Sequence, residues 1–205
     1  MAKPWIKRRT VLAAAGAVFA GPAFAQAPAA KPRVAVQTGK GMFVLELETG
    51  KAPITAGNFL RYVDTRRYDN CSFYRASRVP GDPMHGFIEG GLQNDPKRLF
   101  PPIAHESTTM TGLKHLDGTI SMARYAPGTA TADFVVCSGE APGLDADPNL
   151  PGDNAGFAAF GTVVDGMDVI RAILTLPTPG AARNPVMAGQ ILEPPVPILS
   201  MRRAA

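Results

Sequence analysis

The sequence is poor in the residues on which covalent and metal chemistry is usually built. Its three histidines, His85, His105 and His115, stand alone, with no HExxH or other paired spacing. The two cysteines, Cys71 and Cys137, form no recognised zinc pattern with them. No GxSxG elbow, P-loop or GxGxxG occurs, so the usual serine-nucleophile, nucleotide and dinucleotide signatures are missing. Neither a metal nor a cofactor is expected. Acidic residues are absent before Glu46, and the apolar run at 11–20 is shorter than the roughly 20 residues needed to cross a bilayer. No internal repeat is visible.

What the N-terminus does contain is an export pattern. Lys3, Lys7, Arg8 and Arg9 precede the apolar run, and Ala23-Phe24-Ala25 supplies a small-x-small cleavage site. Arg8-Arg9 also resembles a twin-arginine signal. The expected organisation is a signal peptide over 1–25, a flexible Ala/Pro-rich leader over 26–32 and a single domain over 33–205. The mature protein is then expected in the periplasm, by the Sec or the twin-arginine route. Four of the 21 Lys and Arg residues lie in the signal, which leaves 17 cationic against 17 acidic groups in the mature chain. The net charge of +4 therefore belongs to the precursor and is no sign of nucleic-acid binding. Export permits a disulfide between Cys71 and Cys137. Each cysteine adjoins an apolar run, however, where a buried thiol is the simpler expectation.

Period-two alternation around Val34 and Val36, the Gly39-Lys40-Gly41 turn, and Phe43, Leu45 and Leu47 on one face predict a hairpin. Pro53 suits a helix start, and Ala56, Phe59, Leu60 and Val63 recur with helical spacing to near Arg67. Apolar runs predict strands at 72–79, 118–123, 133–138 and 157–164, and a short helix at 169–174. A last strand, 191–202, contains Pro194, Pro195 and Pro197 and should be an edge or bulged strand. Long loops at 92–117 and 140–156 are candidates for function. Many strands with two helices imply a mainly β closed barrel or sandwich with helices over its ends.

Motifs carry the reading further. Phe73-Tyr74-Arg75, Phe87-Ile88-Glu89-Gly90-Gly91 and Gly118-Thr119-Ile120-Ser121-Met122-Ala123 occur in that order. Ala52-Pro53-Ile54-Thr55 to Asn58-Phe59 comes before them, and Phe160-Gly161-Thr162-Val163-Val164 with Gly166-Met167-Asp168-Val169 comes after. Together they resemble the cyclophilin family over nearly all of 34–202. The resemblance implies an eight-stranded β-barrel capped by two α-helices. It also implies peptidyl-prolyl cis-trans isomerase activity on proline-containing polypeptides, by a monomer that binds neither nucleic acid nor, once the signal is removed, membrane.

That reaction needs no nucleophile. An amide resists rotation by about 18–20 kcal/mol, and X-Pro bonds interchange in tens to hundreds of seconds. A pocket that fits the twisted amide better than either planar form is sufficient. In the twisted state the proline nitrogen becomes an acceptor that a fixed cationic donor stabilises. The resemblance gives Arg75 this catalytic role, and guanidinium suits it because it stays charged and presents rigid donors. For substrate binding it implies Phe87, Glu89, Ala123, Arg124, Asp133, Val135, Leu144 and Phe157.

Several of these depart from the family pattern. Glu89 and Asp133 replace glutamines, and both are expected to pair with Arg75, orienting it while competing for its donors. Val135 replaces an aromatic ring and makes the floor shallower. Arg124 replaces an asparagine that contacts substrate backbone, Gly143 replaces a tryptophan, and Phe157 stands in place of a histidine. Matching back from Gly90-Gly91 puts the pocket phenylalanine at Gly86, with Phe87 one position on. Phe134, adjacent to two outward residues, is assigned to the core. These changes leave two readings: an isomerase for exported proteins, or a proline-segment-binding chaperone or interaction module with weak or no turnover.

Overall fold

The alternation in the first strands is a record of one buried face: Val34, Val36, Phe43, Leu45 and Leu47 are all fully buried. They form an antiparallel hairpin of β1 (Arg33–Thr38) and β2 (Gly41–Leu47), with Val36 opposite Phe43. Thr38 Oγ1 closes the turn, donating to Gly41 O at 2.8 Å and accepting Lys40 N–H at 3.0 Å. The computed structural model describes Met1, residues 30–149 and residues 152–204. Apart from Met1, the expected signal peptide over 1–25 lies outside the described residues, as does most of the leader. The chain is already tied to the barrel at Pro32, whose carbonyl accepts from Leu47 N–H at 2.9 Å.

Helix α1 (Pro53–Asp64) buries Ala56, Phe59, Leu60 and Val63 as their spacing requires, and Tyr62 with them. It ends before Arg67 in a run of turns. Its first turn has no acidic residue and Ala52 cannot cap it. The buried Glu106 carboxylate supplies the missing acceptors, taking Ile54 N–H at 3.2 Å, Thr55 N–H at 2.7 Å and Thr55 Oγ1 at 2.6 Å. An anion at a helix N-terminus complements the exposed N–H groups and the dipole. Phe59 then packs edge-on against Phe134 at 5.4 Å and at a tilt against Phe160 at 5.2 Å, fixing the helix over the barrel interior.

The remaining elements are β3 (Cys71–Val79), β4 (Asp82–Gly91), a one-turn helix α2 (Thr108–Thr111), β5 (Thr119–Met122), β6 (Phe134–Ser138), β7 (Ala158–Asp165), α3 (Met167–Leu174) and β8 (Ile191–Ala204). The strands close an antiparallel barrel in the order β1-β2-β7-β5-β6-β4-β3-β8. The barrel was expected with two helices; α2 is a third, too short to show in any periodicity. β4 is the strand that periodicity missed, because Pro83, Gly86, Gly90 and Gly91 interrupt its apolar pattern. Closure leaves no edge, so β8 is not an edge strand; it is bulged. It pairs with β3 at Phe73↔Val196 and next at Arg75↔Ile191, so Leu192 to Pro195 loop out of the ladder where a proline needs no N–H partner. Cys71 and Cys137 are buried free thiols, and burial pushes both thiols up to about 12.

Candidate active site

A regular strand sends neighbouring side chains to opposite faces, yet Tyr74 and Arg75 both face one cavity while Phe73 and Ala76 are buried in the core. The register explains this. Phe73 pairs with Gly90 and Arg75 with Glu89, so Tyr74 is an extra residue in β3. Such a bulge re-aims side chains and strengthens local twist. On β4, Phe87 and Glu89 face the cavity and Ile88 the core; on β6, Val135 faces the cavity while Phe134 and Val136 are fully buried. Gly90 is required where β4 crosses Phe73, since a Cβ there would lie 2.6 Å from the ring.

The cavity has a volume of about 610 Å³, and every residue singled out from the sequence lines it: Arg75, Phe87, Glu89, Ala123, Arg124, Asp133, Val135, Leu144 and Phe157. The register puts Phe87 on the same face as Glu89, which settles that Phe87, and not Gly86, supplies an aromatic ring to this wall. Arg75 lies over that ring, its Cζ 5.1 Å from the centroid. Arg75 Nη1 donates to Glu89 Oε2 at 2.7 Å, and Nε donates to Gln190 Oε1 at 2.8 Å. Nη2 has no protein partner among the described residues. No buried side-chain nitrogen or oxygen there lacks a partner, so Nη2 is accessible to solvent. Tyr74 Oη donates to the other Glu89 oxygen at 3.0 Å, and burial followed by the Glu89 charge raises the phenol's pKa well above the ordinary tyrosine range.

Two expectations change. Asp133 does not pair with Arg75: its Oδ1 accepts Gln93 N–H at 2.9 Å, and among the described residues Glu89 alone forms the ion pair. Asp133 lies beyond β4 from Arg75, and Glu89 on that intervening strand takes the guanidinium. Burial, then the Glu89 charge, raises the Asp133 carboxyl to about 6 against the pull of the Gln93 and Leu92 amides. Arg124 lines the cavity, but its side chain is not free to contact a substrate. It forms a two-point ion pair with Asp153 at 2.7 and 2.9 Å and donates to Gly156 O and Tyr125 O, stacked 5.0 Å from Phe157. It holds the loop that presents Phe157.

Sequence reasoning did not find Gln190, or Arg183, Asn184 and Met187 on the cavity's β8 flank. No motif marks them, and Gln190 meets Arg75 only because β8 folds back beside β3. The loops at 92–117 and 140–156 do reach the cavity, through Gln93, Asn94 and Leu144. The Leu144 wall is tied down from outside the cavity. Asp145 Oδ1 accepts from His115 Nδ1 at 2.7 Å, and His115 Nε2 lies 3.0 Å from Ser121 Oγ. This has the connectivity of a nucleophile-base-acid triad, but Ser121 is fully buried and no substrate can reach it. Burial lowers the His115 pKa, which keeps the ring neutral as a structural link.

Residues 33–202 match the family described as cyclophilin type peptidyl-prolyl cis-trans isomerase/CLD. Peptidyl-prolyl cis-trans isomerase A of Dickeya dadantii is 34% identical over 175 residues, covering 83% of this chain and 86% of its own. A peptidyl-prolyl cis-trans isomerase of Acinetobacter baylyi is 33% identical over 150 residues, covering 73% and 75%. The crystal structure of a Cryptosporidium parvum cyclophilin type isomerase shares the fold, with a TM-score of 0.66 at 19% identity over 85% of this chain and 98% of that one. The bulged strand, the half-engaged arginine and the ordered motifs therefore belong together: this chain is a member of the cyclophilin-type peptidyl-prolyl cis-trans isomerase family.

Proposed function

We propose that Arg75 is the catalytic residue of this isomerase and that it acts through Nη2. The observation that carries the reading is the guanidinium held by Glu89 and Gln190, with Nη2 unpaired among the described residues, in a cavity it lines together with Phe87, Val135, Leu144 and Phe157. The pyrrolidine ring packs against those apolar side chains. Rotation about the X-Pro bond then brings the proline nitrogen's lone pair toward Nη2, which donates to it only in the twisted state. Ala123 leaves room for the chain, and Arg124 and Asp153 hold the far wall. The substrate class agrees with the Cryptosporidium relative, whose structure was also determined in the presence of the dipeptide Ala-Pro.

The charged N-terminus, apolar run and A-x-A site support action on proteins outside the cytoplasm, in the periplasm, by a monomer released from its signal. The second reading, a proline-segment binder with little turnover, is favoured by one contact: the Glu89 carboxylate 2.7 Å from Arg75 withdraws part of its field from the substrate. Assaying residues 26–205 on an Ala-Pro peptide with isomer-resolved NMR, beside Arg75→Ala, separates the two. Acceleration that is lost in the variant supports catalysis. Peptide binding without acceleration supports the binder.

A further inference from the structure

The cavity is wider than a proline ring needs, and its charges are not all balanced. Arg75 is paired with Glu89 and Arg124 with Asp153. Two wall residues of opposite sign have no ion-pair partner among the described residues, Asp133 and Arg183. They differ in setting. Arg183 is exposed on the β8 flank, where water solvates it. Asp133 is only 7% exposed and borders the β6 flank.

The groups facing Asp133 stabilise its charge only as hydrogen-bond donors, and the one charged group among them has the same sign. From the 92–93 turn come the Leu92 and Gln93 amides, from β3 the Tyr74 hydroxyl, and from β4 the Glu89 carboxylate, which repels it. Gly91 has no side chain to cover it, and a Cβ there would collide with Asp133. A carboxylate kept out of water without a counter-ion is costly. A cation brought in by the substrate would relieve that cost, and the site would reject an anion.

Geometry limits where the cation sits. In the order β6-β4-β3-β8, Asp133 adjoins a strand two places from that of Arg75. At about 4.8 Å per strand this is about 10 Å, or about three residues of extended peptide. We propose that Asp133 makes this isomerase select prolines that have a lysine or arginine side chain within about three residues, received at the β6 end of the cavity. The proposal rests on the reading of this cavity as the substrate site.

The test uses Ala-rich peptides with one Ala-Pro bond, in which Lys, acetyl-lysine, Gln or Glu replaces each Ala in turn over three positions on either side. Affinity is measured by calorimetry and isomerisation by NMR exchange. At one or more positions Lys should exceed Gln by about tenfold, the scale of a charge-assisted hydrogen bond. Acetyl-lysine should fall to the Gln level and Glu below it. In Asp133→Asn the Lys-to-Gln ratio should drop to about one, whatever the absolute rate. Equal values for Lys and Gln at every position would overturn the proposal, as would a Lys preference that acetylation or Asp133→Asn leaves intact. Acceleration of all peptides alike removes only the charge selection. Tighter Lys binding with no acceleration of any peptide removes only the isomerase reading.

Discussion

Arg75 and Arg124 line the same cavity with the same guanidinium, and the protein treats them in opposite ways. Each offers five N–H donors. Arg75 uses two of them on protein, one to Glu89 and one to Gln190, and its Nη2 stays open. Arg124 engages every nitrogen, with Nε and Nη2 on Gly156 O, Nη1 on Tyr125 O and both terminal nitrogens on Asp153. A donor that must strengthen its bond in the transition state has to be oriented yet unsatisfied. A donor that must hold a loop has to be satisfied. The difference lies in the partners, not in the residue type.

The sharpest way to break this comparison is to remove each arginine. Arg75→Ala should lower kcat/KM by about 10²–10³, the cost of deleting one preorganised donor, and should also cost stability, because it leaves the buried Glu89 carboxylate without its counter-ion. Comparable activity in the variant would end the catalytic assignment. Arg124→Ala should act mainly on stability and substrate affinity. It should lose about 2 kcal/mol in urea unfolding and raise KM as the Phe157 wall loosens, while kcat changes less. A kcat loss as large as that of Arg75→Ala would erase the distinction.

The two carboxylates sharpen it further. Asp133 is raised in the folded state to about 6 from an ordinary 3.8. The folded protein therefore binds more protons than the unfolded chain between those values, and this group's contribution to stability falls as pH rises through them. Asp133→Asn lacks that loss. Its stability relative to the wild type should rise by about 2 kcal/mol between about pH 4 and about pH 8, as read from urea midpoints. No change with pH would show that Asp133 is solvated. The smallest effect concerns Glu89, whose pairing holds Arg75 but draws on its charge. Glu89→Gln should raise kcat/KM on the order of a few-fold; an unchanged or lower value would mean that orientation outweighs competition.

Much of the fold was legible because it depends on short-range pattern. Val34, Val36, Phe43, Leu45 and Leu47 alternate, and Ala56, Phe59, Leu60 and Val63 follow a helical period, so the hairpin and α1 could be read directly. Phe134 could be assigned to the core by parity alone. The family resemblance located the site, and all nine residues it implied line one cavity. β4 escaped pattern reading because glycines hold the places where its partners come close.

What the amino-acid order determined by itself is which faces are apolar and where turns fall, since these follow from periodicity within a few positions; which residues gather at the site was implied by the family resemblance. The tertiary structure decided what each polar group does. Only strand register makes Tyr74 an extra residue and turns Arg75 into the cavity. Only barrel closure brings Gln190 to Arg75 across 115 positions, and only the loop at 153–157 occupies Arg124. A hydrogen bond depends on a partner within about 3 Å, and no local pattern says which distant residue will be there.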